Sequence, residues 1–125
     1  MDAQAIYEQA HAAGCKAWED CSPNPVTWGM AKSLVGNEIV PGTESTCTEG
    51  LCGFAWIIVK PARGPFVTYC KRNDIGRKHV YPGWYIGARG PFDSQSIERK
   101  EAYAYAFAGV LREHGVNCYV GSRLD

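Results

Sequence analysis

The residues most informative about the architecture are 84–120, WYIGARGPFDSQSIERKEAYAYAFAGVLREHGVNCYV, which predict a strand, a long helix and a second strand. We expect Ser94 or Ser96 to cap the start of the helix, because serine oxygens accept hydrogen bonds from its first free N–H groups. Apolar residues recur there at helical spacing and should form its buried side: Ile97, Ala104, Phe107, Ala108 and Leu111. Since a strand, a helix and a strand in succession usually form a parallel crossover, 84–89 and 116–120 should share one sheet with the helix on its face.

Other segments predict the remaining elements. Residues 2–20 have the apolar spacing of an amphipathic helix, and 66–72 predict a shorter helix. Residues 26–28 predict a short strand, whereas 53–59, GFAWIIV, are apolar on both faces and predict a central strand covered on each side. The segment 31–50 is rich in glycine, threonine, serine and glutamate, which predicts an irregular loop or insert.

Together these elements predict a single α+β domain over residues 1–125. We expect a two-layer sandwich, in which a small mixed sheet of three to four strands packs against an N-terminal helix and a long C-terminal helix. The composition, 46% hydrophobic and 21% charged, is that of an ordinary globular protein and excludes disordered and collagen-like chains. No apolar segment approaches the roughly 20 residues of a membrane span, and no signal-peptide core follows Met1, so we expect no membrane partner and a cytoplasmic location.

The chain has six cysteines: Cys15, Cys21, Cys47, Cys52, Cys70 and Cys118. An even number would suit three disulfides in a secreted protein, but no export signal accompanies them. We therefore expect reduced thiols that behave as small apolar residues in a reducing compartment. Structural zinc sites favour more closely spaced pairs than these, so we expect no metal ion and no cofactor.

Charge is unevenly distributed along a chain whose net charge is zero. Residues 1–52 hold seven acidic side chains against two lysines, and residues 53–125 hold eleven basic side chains against six acidic ones. The basic residues are densest in 60–89, where aromatic residues lie among them. Because lysine and arginine neutralise phosphates while aromatic rings stack on bases, we expect this segment to bind nucleic acid or another phosphate-rich ligand. The predicted ligand-binding residues are Lys71, Arg72, Arg77, Lys78, His79, Tyr81 and Arg89, with Arg99 and Lys100 at the start of the long helix.

The same residues leave other functions open. The basic segment is also typical of a solvated loop, with Trp84 and Phe66 in the core. The opposed charges of the two halves suit self-assembly into a homo-oligomer, or docking onto a virion or host protein. A small hydrolase would need converging carboxylates, or Cys52 or Cys70 with His79 as base. We expect a non-enzymatic protein, and no catalytic residue can be assigned.

Several stretches carry a resemblance to a known group of proteins: CGFAW at 52–56, GWYI at 83–86, QSIERKEA at 95–102 and SRLD at 122–125. Over about 50–125 and the first helix, the chain resembles small uncharacterised proteins encoded by tailed bacteriophages. This resemblance implies a viral origin and action in the host cytoplasm or packaging into the virion. It implies no catalytic residue, because that group has no established activity. The order of elements is also similar to that of double-stranded-RNA-binding domains, apart from the last strand at 116–120 and the poor strand character of 66–72.

Overall fold

The structure is a computed structural model that describes residues 2–28, 45–79 and 82–125. Its helices are α1 (Ala3–Asp20), α2 (Pro65–Arg72) and α3 (Ile97–Glu113). Its strands are β1 (Val26–Trp28), β2 (Ser45–Cys47), β3 (Gly53–Val59), β4 (Arg77–Lys78), β5 (Trp84–Gly87) and β6 (Cys118–Leu124). The predicted α+β class, with helices near both ends of the chain, is confirmed.

The predicted loop at 31–50 falls mostly outside the described residues. Its described part departs from the prediction, because Ser45–Cys47 is a strand that pairs antiparallel with β1. Residues such as Thr46 suit a short strand once a partner supplies the hydrogen bonds. Within the described residues, no helix is long and apolar enough to cross a membrane.

Side-chain caps explain where the two long helices begin. The Asp2 carboxylate accepts a hydrogen bond from the N–H of Ala5 at 2.8 Å at the start of α1. At α3 the cap is Ser96, whose hydroxyl accepts from the N–H of Arg99 at 3.3 Å. The Ser94 hydroxyl instead accepts from the N–H of Ser96. These bonds satisfy N–H groups that have no partner inside the helix.

The main sheet has four strands in the order β4-β5-β3-β6, and every neighbouring pair is antiparallel. Both β5 and β6 run antiparallel to β3, so they run in the same direction, and α3 connects them across β3. The predicted crossover within one sheet is therefore confirmed. The sheet is antiparallel rather than mixed because β3 lies between the two parallel strands.

The order β3-α2-β4-β5-α3-β6 is the split βαβ arrangement known as ferredoxin-like. A helix thus separates β3 from the β4-β5 hairpin. This differs from the three consecutive strands of a double-stranded-RNA-binding domain, so that likeness does not extend to the topology.

One face of the sheet packs against the helices. Ala55, Ile57 and Val59 of β3 and Trp84 and Ile86 of β5 are buried in the core on this face. The helices contribute Ile6, Ala10 and Trp18 from α1, Phe66, Val67 and Cys70 from α2, and Tyr103, Ala104, Phe107, Ala108, Val110 and Leu111 from α3. The predicted buried side of the long helix is confirmed, and so is the interpretation of Trp84 and Phe66 as core residues.

The other face is open over much of its area. Side chains alternate along a strand, so Phe54 and Trp56 point away from the helices. Phe54 is 37% exposed and Trp56 is half-buried, which corrects the prediction that 53–59 is covered on each side. Ile58, by contrast, is fully buried on this face, beneath Gly83. An antiparallel sheet can leave one face to solvent, and here all three helices contribute to the core on the opposite face.

Candidate nucleic-acid interface

A row of rings crosses the open face of the sheet. The indole of Trp56 on β3 and the phenol ring of Tyr85 on β5 have centroids 5.9 Å apart and planes inclined by 27°. The His79 imidazole, just after β4, lies 6.2 Å from the Tyr85 ring with planes inclined by 2°. Phe54 lies two residues before Trp56 and so on the same face. The rings therefore span three adjacent strands.

The orientation of Trp56 depends on a glycine directly across the sheet. In the register of β3 and β6, Trp56 pairs with Gly121. A Cβ on Gly121 would lie 2.6 Å from Cε2 of Trp56, closer than a Cβ atom can approach. The indole therefore occupies the space that a side chain at Gly121 would need, and it lies against the backbone of β6.

Basic side chains surround these rings. The guanidinium carbon of Arg77 is 4.7 Å from the centroid of the Tyr85 ring. The Lys100 ammonium and the Arg123 guanidinium lie 4.9 Å and 5.4 Å from the centroid of the Phe54 ring. These are distances at which a cation is attracted to the face of an aromatic ring.

The rings and cations form one shallow cleft of about 680 Å³. We call it the open-face cleft. Its lining consists of Phe54, Trp56, Arg77, Lys78, His79, Tyr85 and Arg123. None of these described lining residues carries a carboxylate, so the cleft favours an anionic ligand.

Four of the predicted ligand-binding residues meet at this cleft. Arg77, Lys78 and His79 line it, because the β4-β5 hairpin places them beside Tyr85. Lys100 reaches its edge from α3, where the ammonium also donates a hydrogen bond to the carbonyl of Gly53 at 2.8 Å.

The structure places four other predicted residues elsewhere, namely Lys71, Arg72, Arg89 and Arg99, and Tyr81 lies outside the described residues. The Lys71 ammonium is 5.6 Å from the ring of Trp84, a core residue. Arg72 lines a groove between α2 and the start of α1. Arg89, which follows β5, lines a separate pocket together with Tyr7 and Tyr103.

Arg99 has a structural role that the sequence did not reveal. Its Nε donates to the Glu49 carboxylate at 2.9 Å, and its Nη1 donates to the carbonyl of Trp18 at 2.6 Å. These bonds tie α3 to the end of α1 and to the segment after β2. The guanidinium is thereby engaged within the fold, and Arg99 is not among the residues of the open-face cleft.

Sequence reasoning missed the residues at the centre of the cleft. The sequence predicts that Phe54 and Trp56 belong to a strand covered on both sides. Arg123 lies beyond the last strand that the sequence predicts, 116–120, whereas the observed strand β6 extends to Leu124. A signal was present, because the large aromatic residues at 54 and 56 alternate with smaller apolar residues at 55 and 57.

The proposed cysteine nucleophiles do not converge with His79. Cys70 is fully buried in the core, and burial raises the pKa of its thiol to about 12, so it is not a reactive thiol. Cys52 is exposed near the start of β3. All six cysteines carry free thiols. In the part of the chain that the structure describes, no group of three or more His, Cys, Asp and Glu side chains could hold a metal ion.

Comparisons of this chain with protein-family models, with curated proteins and with solved structures found no match. The resemblance to tailed-bacteriophage proteins therefore stays a prediction. The geometry of the open-face cleft is the observation that bears on function.

Proposed function

We propose that this protein binds single-stranded nucleic acid in the open-face cleft. The observation that carries the proposal is the near-parallel pair of rings, Trp56 and Tyr85, flanked by Arg77 and Arg123. Each base that stacks on such a ring contributes about 1–3 kcal/mol to the free energy of binding, while the cations neutralise phosphates. RNA-binding modules that have a four-stranded sheet use aromatic residues of the sheet in this way to stack two or three bases.

The spacing of the rings favours unpaired strands over a duplex. Phe54 and Trp56 are two residues apart on one strand, which separates their positions by about 6.8 Å. Successive bases of a duplex strand are only about 3.4 Å apart and stack on each other. Two neighbouring bases can therefore reach both rings only when they are separated from each other, as they can be in a single strand.

The cellular setting is part of the proposal. We place the activity in the cytoplasm of a bacterial host, the setting implied by the resemblance to tailed-bacteriophage proteins. Free thiols suit a reducing compartment of this kind.

The test is fluorescence anisotropy with a labelled single-stranded oligonucleotide and with the duplex of the same sequence. We expect tighter binding to the single strand, and an affinity that falls as salt rises. The Trp56→Ala variant should bind about 5- to 150-fold more weakly, which corresponds to the loss of one stacked base.

The matched control is Tyr105→Ala, which removes another aromatic side chain, 59% exposed on α3. This variant should bind as tightly as the unmodified protein. Equal binding by the two variants, or no binding by the unmodified protein even at low salt, would refute the proposal.

A second candidate function is protein association through β6, the self-assembly interpretation of the charge distribution. Among the described residues, β6 is an edge of the main sheet, and its Tyr119 and Leu124 are 42% and 59% exposed. Unpaired backbone groups at such an edge can accept a further strand. Sedimentation velocity tests this candidate. Association through β6 requires that the unmodified protein form a species heavier than the monomer, and that this heavier species be absent in the Val120→Pro variant.

A further inference from the structure

Three side chains that can exchange protons meet between α1 and α3. Cys15 and His11 lie one turn apart on α1, and the thiol sulfur is 3.5 Å from Nε2 of the imidazole. The other ring nitrogen, Nδ1, is 2.6 Å from the hydroxyl oxygen of Tyr103 on α3. A thiol next to an imidazole that a third group orients is the arrangement of an activated nucleophile.

The imidazole is held from two sides. The Tyr7 ring stacks on it with centroids 5.8 Å apart and planes inclined by 4°. The Tyr103 ring meets it edge-on and is itself buried. Burial raises the pKa of the Tyr103 hydroxyl, which therefore stays a neutral hydrogen-bonding group. Tyr103 is a positioning residue, since it touches His11 and not the sulfur.

The Cys15 thiol remains open to small reagents. Its side chain is only half-buried, unlike those of Cys70 and Cys118. Burial, and to a lesser extent the nearby Glu19 carboxylate, raise the pKa of the Cys15 thiol. The sulfur thus keeps its proton at neutral pH and needs a base to remove it during attack.

We propose that Cys15 is a thiol-modification site, at which His11 acts as general base for exchange with low-molecular-weight disulfides. The Cys15 sulfur attacks one sulfur of the disulfide as its proton passes to Nε2 of His11. The disulfide bond breaks, and the departing thiolate takes the proton from the imidazolium. The products are a mixed disulfide on Cys15 and one free thiol, and no other oxidant is needed.

This inference is independent of nucleic-acid binding. The three side chains belong to the helix layer, whereas the open-face cleft lies on the opposite face of the sheet. A mixed disulfide on Cys15 would lie beside the contact between α1 and α3.

The experiment is incubation with glutathione disulfide, acid quenching at intervals and peptide mass spectrometry, which measures a rate at each cysteine. We expect Cys15 to react at least about tenfold faster than Cys21, because general-base catalysis typically contributes more than this. Cys21 is the internal reference, since it is half-buried just after the same helix.

The variant His11→Phe keeps a ring against Tyr7 and removes the base, so the rate at Cys15 should fall to that at Cys21. The Tyr103→Phe variant should give a smaller fall. His114→Phe replaces a histidine that bonds to Gln9 at 2.9 Å, and it should leave the rate at Cys15 unchanged.

Unfolding is distinguishable from loss of the base. An unfolded variant would react faster at the buried Cys70 and Cys118, whereas loss of the base slows Cys15 alone. The proposal is overturned if Cys21 reacts as fast as Cys15 in the unmodified protein. It is also overturned if a folded His11→Phe protein keeps the fast rate.

Discussion

Gly14 of α1 contacts the ring of Tyr103 of α3 so closely that a Cβ on Gly14 would lie 2.6 Å from Cδ2 of that ring. Gly109 of α3 is also inside a helix, but apart from its chain neighbours and the backbone of its own helix no atom lies within 4 Å of the position of its missing Cβ. A methyl group at position 14 would therefore collide with the ring of Tyr103, whereas a methyl group at position 109 would meet no packed neighbour, although both glycines lie within helices.

The variants Gly14→Ala and Gly109→Ala should change stability in opposite directions. Gly109→Ala should stabilise the protein by about 0.5–1 kcal/mol, because alanine loses less backbone entropy in a helix. Gly14→Ala should destabilise it by about 1–3 kcal/mol, since the buried ring must shift. Urea unfolding measures both values, and a gain in both variants would show that α1 and Tyr103 are less closely packed.

Phe107→Ala should cost about 3–5 kcal/mol in the free energy of unfolding, as truncation of a buried aromatic side chain does. Phe107 is fully buried in the core. Its control, Tyr105→Ala on the same helix, should change the free energy by no more than about 0.5 kcal/mol. Denaturant unfolding measures both changes, and a loss of less than about 1 kcal/mol in the free energy of unfolding of Phe107→Ala would contradict the assigned core.

Two neighbouring basic pairs should differ in their effect on nucleic-acid binding. Arg77 and Lys78 line the open-face cleft, whereas Lys71 and Arg72 belong to α2. Replacing the first pair by alanine should flatten the dependence of log affinity on log salt by about 0.7 for each phosphate that the protein no longer neutralises. Replacing the second pair, which removes the same charge, should leave the slope unchanged. Anisotropy titrations at several salt concentrations test this, and equal slopes for the two double variants would exclude the cleft as the binding surface.

Acid should weaken the interaction between Glu49 and Arg99. Hydrogen bonds from Arg99 and then from Ser94 hold the pKa of Glu49 below its ordinary value of 4.5. The carboxylate therefore contributes stability above its ordinary pKa, and that contribution disappears as pH falls through the lowered value. Between about pH 5 and pH 3, the melting temperature of the unmodified protein should fall more than that of Glu49→Gln. If thermal unfolding showed that the melting temperatures of the two proteins fall equally with pH, the stabilising interaction between Glu49 and Arg99 would be contradicted.

Local features of the chain predicted much of the fold. The apolar spacing of α1 and α3, the short helix α2 and the cap of α3 all depend on residues within a few positions of each other. The open face of β3 was not predicted, because GFAWIIV is apolar at every position, so that only the size of its side chains alternates and no alternation of apolar with polar residues marks the exposed face. Aromatic residues there can face solvent because cations and the backbone of Gly121 cover part of each ring.

The sequence by itself determined the three helices and the strands β1, β3, β5 and β6, which residues of α3 are buried and where basic and aromatic residues are concentrated, but it did not predict the short strands β2 and β4. Only the tertiary structure decided which of those residues meet: Arg77 with Tyr85 in the open-face cleft, Arg99 with Glu49 where α3 is tied to the segment after β2, and Cys15 with His11 and Tyr103 between the helices. The physical reason is that periodicity and capping act over one or two turns of the chain. The composition of a site depends instead on strand register and on the packing of helices, which bring together side chains as far apart in the sequence as His11 and Tyr103, 92 positions from each other.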